Sequence, residues 1–294
     1  MRRATAIVAP TLVALALPCA AAAQNFDEIQ ISTTPVAGGI YMLQGSGGNI
    51  GVSIGDDGTL MVDDQFAPLT QKIQAAISAL SREPVQFVIN THWHYDHTDG
   101  NTNFGRAGAI LVAHENARTR MMHTDTVSLN NRVQEAYGPD GLPKITFYQS
   151  MRFHYNGNVI DVIHLRNAHT DGDAAVYFRD TNVLHTGDTF TRGALPFIDQ
   201  PNGGTLDGMI EAAWTMAGLV NDRTRIIPGH GALSTRADLL EHHAKLVAIR
   251  ERLRAHATRG DSPDAVVAAN PVSDWAEMNA GNERWLRAAY EEYR

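Results

Sequence analysis

The stretch Thr91-His92-Trp93-His94-Tyr95-Asp96-His97-Thr98-Asp99-Gly100-Asn101 puts three histidines and a carboxylate into six consecutive positions, directly after the apolar run Val85-Gln86-Phe87-Val88-Ile89-Asn90. The run reads as a strand and the donors as the turn that leaves it. Imidazole nitrogen and carboxylate oxygen are donors that zinc prefers, and collecting them at a strand end costs stability unless a cation binds them. One histidine here would read as a packing residue. Four donors in alternation read as a metal site.

Working outward, three further positions sit in glycine-containing turns after apolar strands. They are His169 in Ala168-His169-Thr170-Asp171-Gly172-Asp173, Asp188 in His185-Thr186-Gly187-Asp188-Thr189, and His230 in Pro228-Gly229-His230-Gly231. Turns at one edge of a sheet converge although they are distant in sequence. His164 and His185 read as strand residues or supports behind the site. His114, His123, His154, His242, His243 and His256 read as surface or packing positions.

Around these turns the chain alternates strands and helices. Short strands with glycine punctuation are expected over 40–43, 50–54 and 59–62, the last closing on Asp63. Pro68 opens a helix that keeps Leu69, Ile73, Ala76, Ile77 and Leu80 on one face. Strands follow over 85–90 and 109–112, which is βαβ grammar. Residues 115–144 turn polar and helical around a Gly138-Pro139-Asp140-Gly141 break and read as a surface insertion. Strands resume at 145–148, 159–165, 174–178, 183–186 and 225–227. Helices are expected at 206–220, on the Leu239, His242, Leu246, Ile249 and Leu253 face, and in the tail with Trp275, Trp285, Leu286 and Tyr290.

Arg2 and Arg3, an apolar run from Ala6 to Leu17 and the small residues Ala21-Ala22-Ala23 form the pattern of a secretory signal peptide, too short for a membrane span. Cleavage after Ala23 is expected, giving a periplasmic or secreted chain with one domain over 24–294. The only cysteine, Cys19, lies inside that segment. Beyond it neither disulfides nor thiolate ligands are available, so any metal must be held by nitrogen and oxygen. Removing residues 1–23 takes away two arginines and no acids, making a formal charge of −8 more negative still. Nucleic acid and anionic membrane are therefore not expected as partners, and a nuclease reading is disfavoured. A small-molecule substrate is expected, and the sequence leaves the oligomeric state open.

The order His-x-His-x-Asp-His, then His169, Asp188 and His230, with Asp63 closing an early strand, resembles the metallo-β-lactamase superfamily from about Ile40 to Gly231. The resemblance implies an α/β fold, the αββα four-layer sandwich, with two zinc ions at one sheet edge. It implies that His92, His94 and His169 hold one ion, that Asp96, His97 and His230 hold the other, and that Asp188 bridges them. Asp63 is implied to lie behind the ligands and orient one histidine. The chemistry implied is hydrolysis: a metal-activated hydroxide attacks a carbonyl, with Asp96 orienting it and moving its proton.

The substrate is less decided. Asp188 stands where a cysteine-bearing subclass of β-lactamases has its cysteine, and a bridging aspartate is commoner in thioester and ester hydrolases. Export, by contrast, points to cell-wall antibiotics, so β-lactam ring opening is the leading expectation and ester or thioester hydrolysis the alternative. Nitrogen and oxygen ligands also suit iron and an oxidoreductase, and a non-catalytic metal-binding module is the rival outside enzymes. Two loops are expected to flank the site, one with Gly47 and Asn49, the other with Phe190, Arg192, Phe197 and Asn202. Arg192 is the candidate partner for a substrate carboxylate.

Overall fold

The computed structural model describes residues 25–127, 132–193 and 195–294. The expected signal peptide lies outside the described residues, as do Asn130 and Asn131 of the expected insertion. In chain order the strands are β1 (Ser32–Ala37), β2 (Ile40–Gln44), β3 (Ile50–Gly55), β4 (Gly58–Val62), β5 (Val85–Ile89), β6 (Ile110–His114), the small hairpin β7 (Asp125–Val127) and β8 (Arg132–Gln134), and β9 (Ile145–Phe147). The second half adds β10 (Ser150–Tyr155), β11 (Asn158–Leu165), β12 (Asp173–Phe178), β13 (Val183–His185) and β14 (Arg225–Ile227). One sheet has the order β1-β2-β3-β4-β5-β6-β9, the other β10-β11-β12-β13-β14.

The sheets pack face to face through Ile40, Met42, Leu60, Val62, Ile89 and Val112 on one side and Ile160, Val162, Val176, Phe178 and Ile227 on the other. Every residue of β4 and of β12 is buried. These strands are covered on both faces, which is why they read as unbroken apolar runs rather than alternating ones. The outer face of the first sheet carries α1 (Thr70–Ser78), with α2 (Tyr95–Thr98) and α3 (Asn101–Arg106) following β5; Leu69, Ile73, Ile77 and Phe104 meet Val52 and Met61 there. On the outer face of the second sheet lie α5 (Leu206–Leu219), α6 (Arg236–Arg259), α7 (Pro263–Ala269) and α8 (Ala280–Glu291), whose Met209, Leu246, Val266 and Leu286 share one cluster with Tyr177 and Leu184. The layers are therefore helix, sheet, sheet, helix, the architecture implied by the resemblance.

Several boundaries have local causes. A reciprocal capping box between Thr235 and Asp238 starts α6, and Gly260 at φ 71° ends it. Glu292, after α8, accepts from the Leu206 amide at 2.9 Å and so caps α5. This contact and the burial of Trp285 place the C-terminal helices in the core layer.

Three features depart from the sequence reading. Strand β1, with Pro35 on a sheet edge, carries too few apolar residues to be anticipated, and strand β10 departs from the expected pattern although Met151, Phe153 and Tyr155 alternate along it toward the core. Helix α4 (Glu115–Met121) begins what was expected as a surface insertion, yet Ala117 and Met121 pack on Trp93 and Ala113 in a core of their own. Among the described residues, no helix is long and apolar enough to cross a membrane.

Candidate metal centre

The strand directions bring the singled-out residues together. β4, β5 and β6 run parallel, as do β13 and β14, so Asp63, the Thr91–His97 turn, Asp188 and His230 all follow C-terminal strand ends. The turn from β11 to β12 adds His169, and the Ala174 amide donates to the Thr91 carbonyl at 2.7 Å, tying the two sheets at that edge. Two glycines allow the close approach. A Cβ on Gly48 would stand 2.1 Å from His97 Cε1, and one on Gly229 would stand 2.0 Å from Asp188 Oδ1.

The donors converge into overlapping groups in which each ligand atom lies within 4.8 Å of the others: His92, His94 and His169; His92, His97 and Asp188; and Asp96, His97 and His230. Asp188 stands between them. Its Oδ1 is 3.2 Å from His97 Nε2, and its Oδ2 is 3.4 Å from His230 Nε2 and 3.8 Å from His169 Nε2. Asp96 Oδ2 reaches to 3.3 Å from His230 Nε2 and 3.7 Å from His97 Nε2.

The outward-facing nitrogens decide what the inward ones can do. His94 Nε2 meets Asp199 Oδ2, His169 Nδ1 meets the Phe197 carbonyl, and His97 Nδ1 meets Asp63 Oδ2, each at 2.8 Å. All three partners only accept, so each outer nitrogen carries a proton, and a ring that sheds its second proton turns a lone pair inward. His94 Nδ1 and His169 Nε2 then face each other at 2.9 Å, and His97 Nε2 faces His230 Nε2 at 3.3 Å. His92 Nε2 is buried without a hydrogen-bond partner among the described residues. Lone pairs gathered this way need a cation, and the donor set of imidazole and carboxylate with acceptors behind it suits zinc.

The two groups differ in charge. Burial, with His97 and His169 alongside, pushes His92 well below the ordinary histidine range, and burial depresses His94 against the pull of Asp199. Burial would lower His97 as well, but Asp188, Asp96 and Asp63 together carry it well above that range. Asp188 is the chief cause that pushes His230 up to about 10. Burial would in turn raise Asp188, yet His230 and His97 hold it well below the usual carboxylate range. His92 and His94 are thus kept neutral, while the second group is a network of ionised acids and protonated rings.

Asp63 accepts from the Thr91 amide at 2.7 Å and the Thr91 hydroxyl at 2.8 Å as well as from His97. It does so at φ 61°, a left-handed conformation that costs a non-glycine residue about 1–3 kcal/mol. The surrounding hydrogen bonds hold it there. Asp199 and Asp173 were missed in the sequence. Asp173 accepts from the His169 and Thr170 amides and the Thr170 hydroxyl, and burial raises it to about 6. Asp199 follows the apolar pair Phe197-Ile198 with no motif to mark it.

The residues expected on substrate loops divide. Phe197 stacks on His94 with ring centroids 5.6 Å apart and lines a cavity of about 220 Å³ with His94, Tyr95, Asp96, Val127, Asp188, Thr191, Leu195 and His230. Gly47 lies against the Asp96 backbone, where a Cβ would meet Asp96 O at 2.6 Å. Four expectations are corrected. The Asn49 amide donates to the Pro228 and Gly231 carbonyls, clamping the His230 turn. Phe190 is buried against His242. The Arg192 guanidinium pairs with Asp238 at 3.0 Å and bonds Ser234 Oγ. Asn202 is buried and donates to Asp199. Of the other histidines, His114 and His164 stack on each other at 3.8 Å, and His185 bonds the Asn49 carbonyl as a strut.

The family description of the metallo-beta-lactamase superfamily matches residues 44–230. Among curated proteins, the 2,4-dinitroanisole O-demethylase subunit alpha of Nocardioides sp. (strain JS1661) is 27% identical over 171 residues, which are 56% of this chain and 48% of that protein. The chain thus spans about half the length of the curated relative it matches. Among solved structures, a metallo-beta-lactamase from Pontibacter korlensis superposes with a TM-score of 0.61 at 18% identity, over 74% of this chain and 99% of that one. The DIM-1 metallo-beta-lactamase superposes with a TM-score of 0.60, also at 18% identity, over 74% of this chain and 97% of that one. The sec-alkylsulfatase Pisa1 from Pseudomonas sp. reaches 0.65 at 16% identity, over 90% of this chain and half of that one. At these identities the structures speak for the fold alone. The match over residues 44–230, on a helix–sheet–sheet–helix fold with its histidines and aspartates gathered at one edge, places this chain in the metallo-β-lactamase superfamily.

Proposed function

We propose that this protein is an exported dinuclear zinc hydrolase that cleaves ester- or thioester-like carbonyl compounds in the periplasm. The observation that carries this reading is the pair of donor groups that flank Asp188 and open, with Asp96, onto one small cavity. His92, His94 and His169 would hold one ion, Asp96, His97 and His230 the other, with Asp188 between them. Zinc bound there supplies Lewis acidity toward a carbonyl and toward water.

The chain's own residues supply the rest. Asp96 borders the cavity with its carboxylate partly open, and His97 and His230 hold it ionised although burial alone would raise it. An ionised carboxylate there accepts the proton of an attacking water and returns it to the leaving group. Tyr95, Val127, Leu195 and Phe197 give the cavity an apolar wall that excludes water and receives an uncharged substrate body. Among the described residues of this wall there is no lysine or arginine, and Arg192, the cation expected to meet a carboxylate, is paired with Asp238. That supports a neutral ester or thioester ahead of a carboxylate-bearing β-lactam. The second reading is β-lactam ring opening, supported by the secretion pattern and the likeness in fold to two β-lactamases.

The test is a panel of a p-nitrophenyl ester, a thioester, a chromogenic cephalosporin and, after the curated relative, an aryl methyl ether. It is run on zinc-loaded protein with metal counted. Ester or thioester turnover well above cephalosporin turnover is expected, and the reverse order would move the assignment to the second reading. Asp96→Asn should lower turnover by about 10²–10⁴-fold. An unchanged rate with both ions still bound overturns the role given to Asp96, and native protein loaded with iron overturns the zinc hydrolase.

A further inference from the structure

One loop stands behind two of the three histidines in the His92–His94–His169 group. His94 Nε2–H donates to the Asp199 carboxylate and His169 Nδ1–H to the Phe197 carbonyl, so residues 197–199 set the rotation of both rings. The Asp199 amide donates back to the His169 carbonyl at 2.9 Å, and the Asp171 amide donates to the Asn202 carbonyl at 3.0 Å. The loop and the His169 turn are therefore laced together through their backbones.

The lacing ends on a residue from a different layer. Arg120, on α4, grips Asp171 with two parallel bonds, Nε to Oδ1 at 2.8 Å and Nη2 to Oδ2 at 2.6 Å. Its third nitrogen, Nη1, donates to Asn202 Oδ1. The Asn202 amide is thereby held in one orientation, with Nδ2 donating to Asp199 Oδ2 at 2.8 Å, the same oxygen that accepts from His94 Nε2. Turned over, that amide would set its oxygen against the Asp199 carboxylate and its NH₂ against the guanidinium. A planar bidentate fork is what this grip needs, and lysine cannot reproduce it.

We propose that Phe197–Asn202 is the positioning loop of the His92–His94–His169 metal group, and that Arg120 anchors it through Asp171 and Asn202. Arg120, Asn202 and Asp199 are positioning residues: each acts on the metal through His94 or His169. The proposal rests on the two-metal reading of the site and goes beyond it by assigning roles to residues outside every ligand group.

The test titrates zinc into metal-free wild type, Asp199→Asn, Arg120→Met, Arg120→Lys and the Asp199→Asn/Arg120→Met double variant by chelator competition. Cobalt spectra of the loaded proteins and melting of the metal-free proteins are recorded alongside. Asp199→Asn is expected to weaken one of the two binding steps by about 10–100-fold, to leave the other within about threefold, and to shift the cobalt bands. Arg120→Met should weaken the same step less, Arg120→Lys should not rescue it, and the double variant should lose no more than Asp199→Asn alone, because the effects run through one chain of contacts. Wild-type affinity in Asp199→Asn overturns the proposal. So does equal weakening of both steps in proportion to a lowered melting temperature, which would mark a general structural role. Wild type that binds no zinc at all would instead remove the two-metal reading on which the proposal rests.

Discussion

His242 allows the energetics of burial to be tested independently of the metal centre. Its ring lies on the inner face of α6 against Phe190 at 5.1 Å, is 4% exposed, and has no hydrogen-bond partner for either nitrogen among the described residues. Burial, with Lys245 and His243 adding to it, drops its pKa to about 3. The folded pKa therefore lies below the unfolded one of 6.5. The unfolded chain takes up a proton as pH falls through 6.5 while the native ring does not until about pH 3, so stability present at neutral pH is lost across that window. The loss is about 2 kcal/mol by pH 5 and about 4 kcal/mol by pH 3. His242→Leu removes both the titration and the unpartnered nitrogens. Urea unfolding of the two proteins at pH 7, 6 and 5 should show the variant at least as stable at pH 7 and pulling ahead by about a further 2 kcal/mol at pH 5. Other titrating groups cancel in that difference. A gap that stays constant from pH 7 to pH 5 refutes the reasoning.

Three further outcomes follow from the site. Gly48→Ala puts a methyl group onto the His97 ring, so it should weaken the Asp96–His97–His230 metal step by about tenfold or more, read by chelator competition, with the other step unmoved. Asp64 is buried beside Asp63, and burial first and that neighbour second raise it well above the usual carboxylate range. Its charged form costs stability as pH rises past the ordinary 3.8, so Asp64→Asn should gain on wild type in melting temperature between pH 4 and 7; a variant that falls behind would show that the carboxylate is needed. Loading the acid-rich group at pH 7 should release protons from His97 and His230, whereas His92 and His94, already neutral, release none. Calorimetry in buffers of different ionisation enthalpy separates the two steps, and equal proton release from both would contradict the charge assignment.

The fold and the donor set were legible because their signals are local. Apolar runs that end in a polar turn mark β5, β13 and β14, and the donors sit in the turns themselves, so reading the strands also located His92, Asp188 and His230. What stayed hidden depends on contacts between distant segments. Asp199 sits in a loop without periodicity and matters only because His94 lies 2.8 Å away across 105 positions of sequence. Arg120 reads as one more charge on a polar helix, since nothing in its neighbourhood announces Asp171 and Asn202. The substrate loops were misjudged for the same reason: Asn49 and Arg192 have the right chemistry to meet a ligand, but their partners, the His230 turn and Asp238, come from other parts of the chain.

Phe197 belongs both to the support behind the ligands and to the wall of the cavity. Its carbonyl fixes His169, while its ring stacks on His94 and faces the space a substrate would fill. Cavity shape and ligand orientation are therefore set by one residue and cannot vary independently at that point. A smaller side chain there widens the cavity but removes the ring packed against His94, and a backbone shift that makes room for a larger substrate moves the acceptor behind His169. Tyr95 completes the apolar wall from within the ligand turn, between His94 and Asp96, whereas Val127 and Leu195 lie outside the ligand groups and outside the loop that orients them, so the strain of accepting a new substrate falls on those two at less cost to the metal. Within one fold, the ligand side can then stay fixed by Asp63, Asp199 and the Phe197 backbone while specificity changes across the opposite wall.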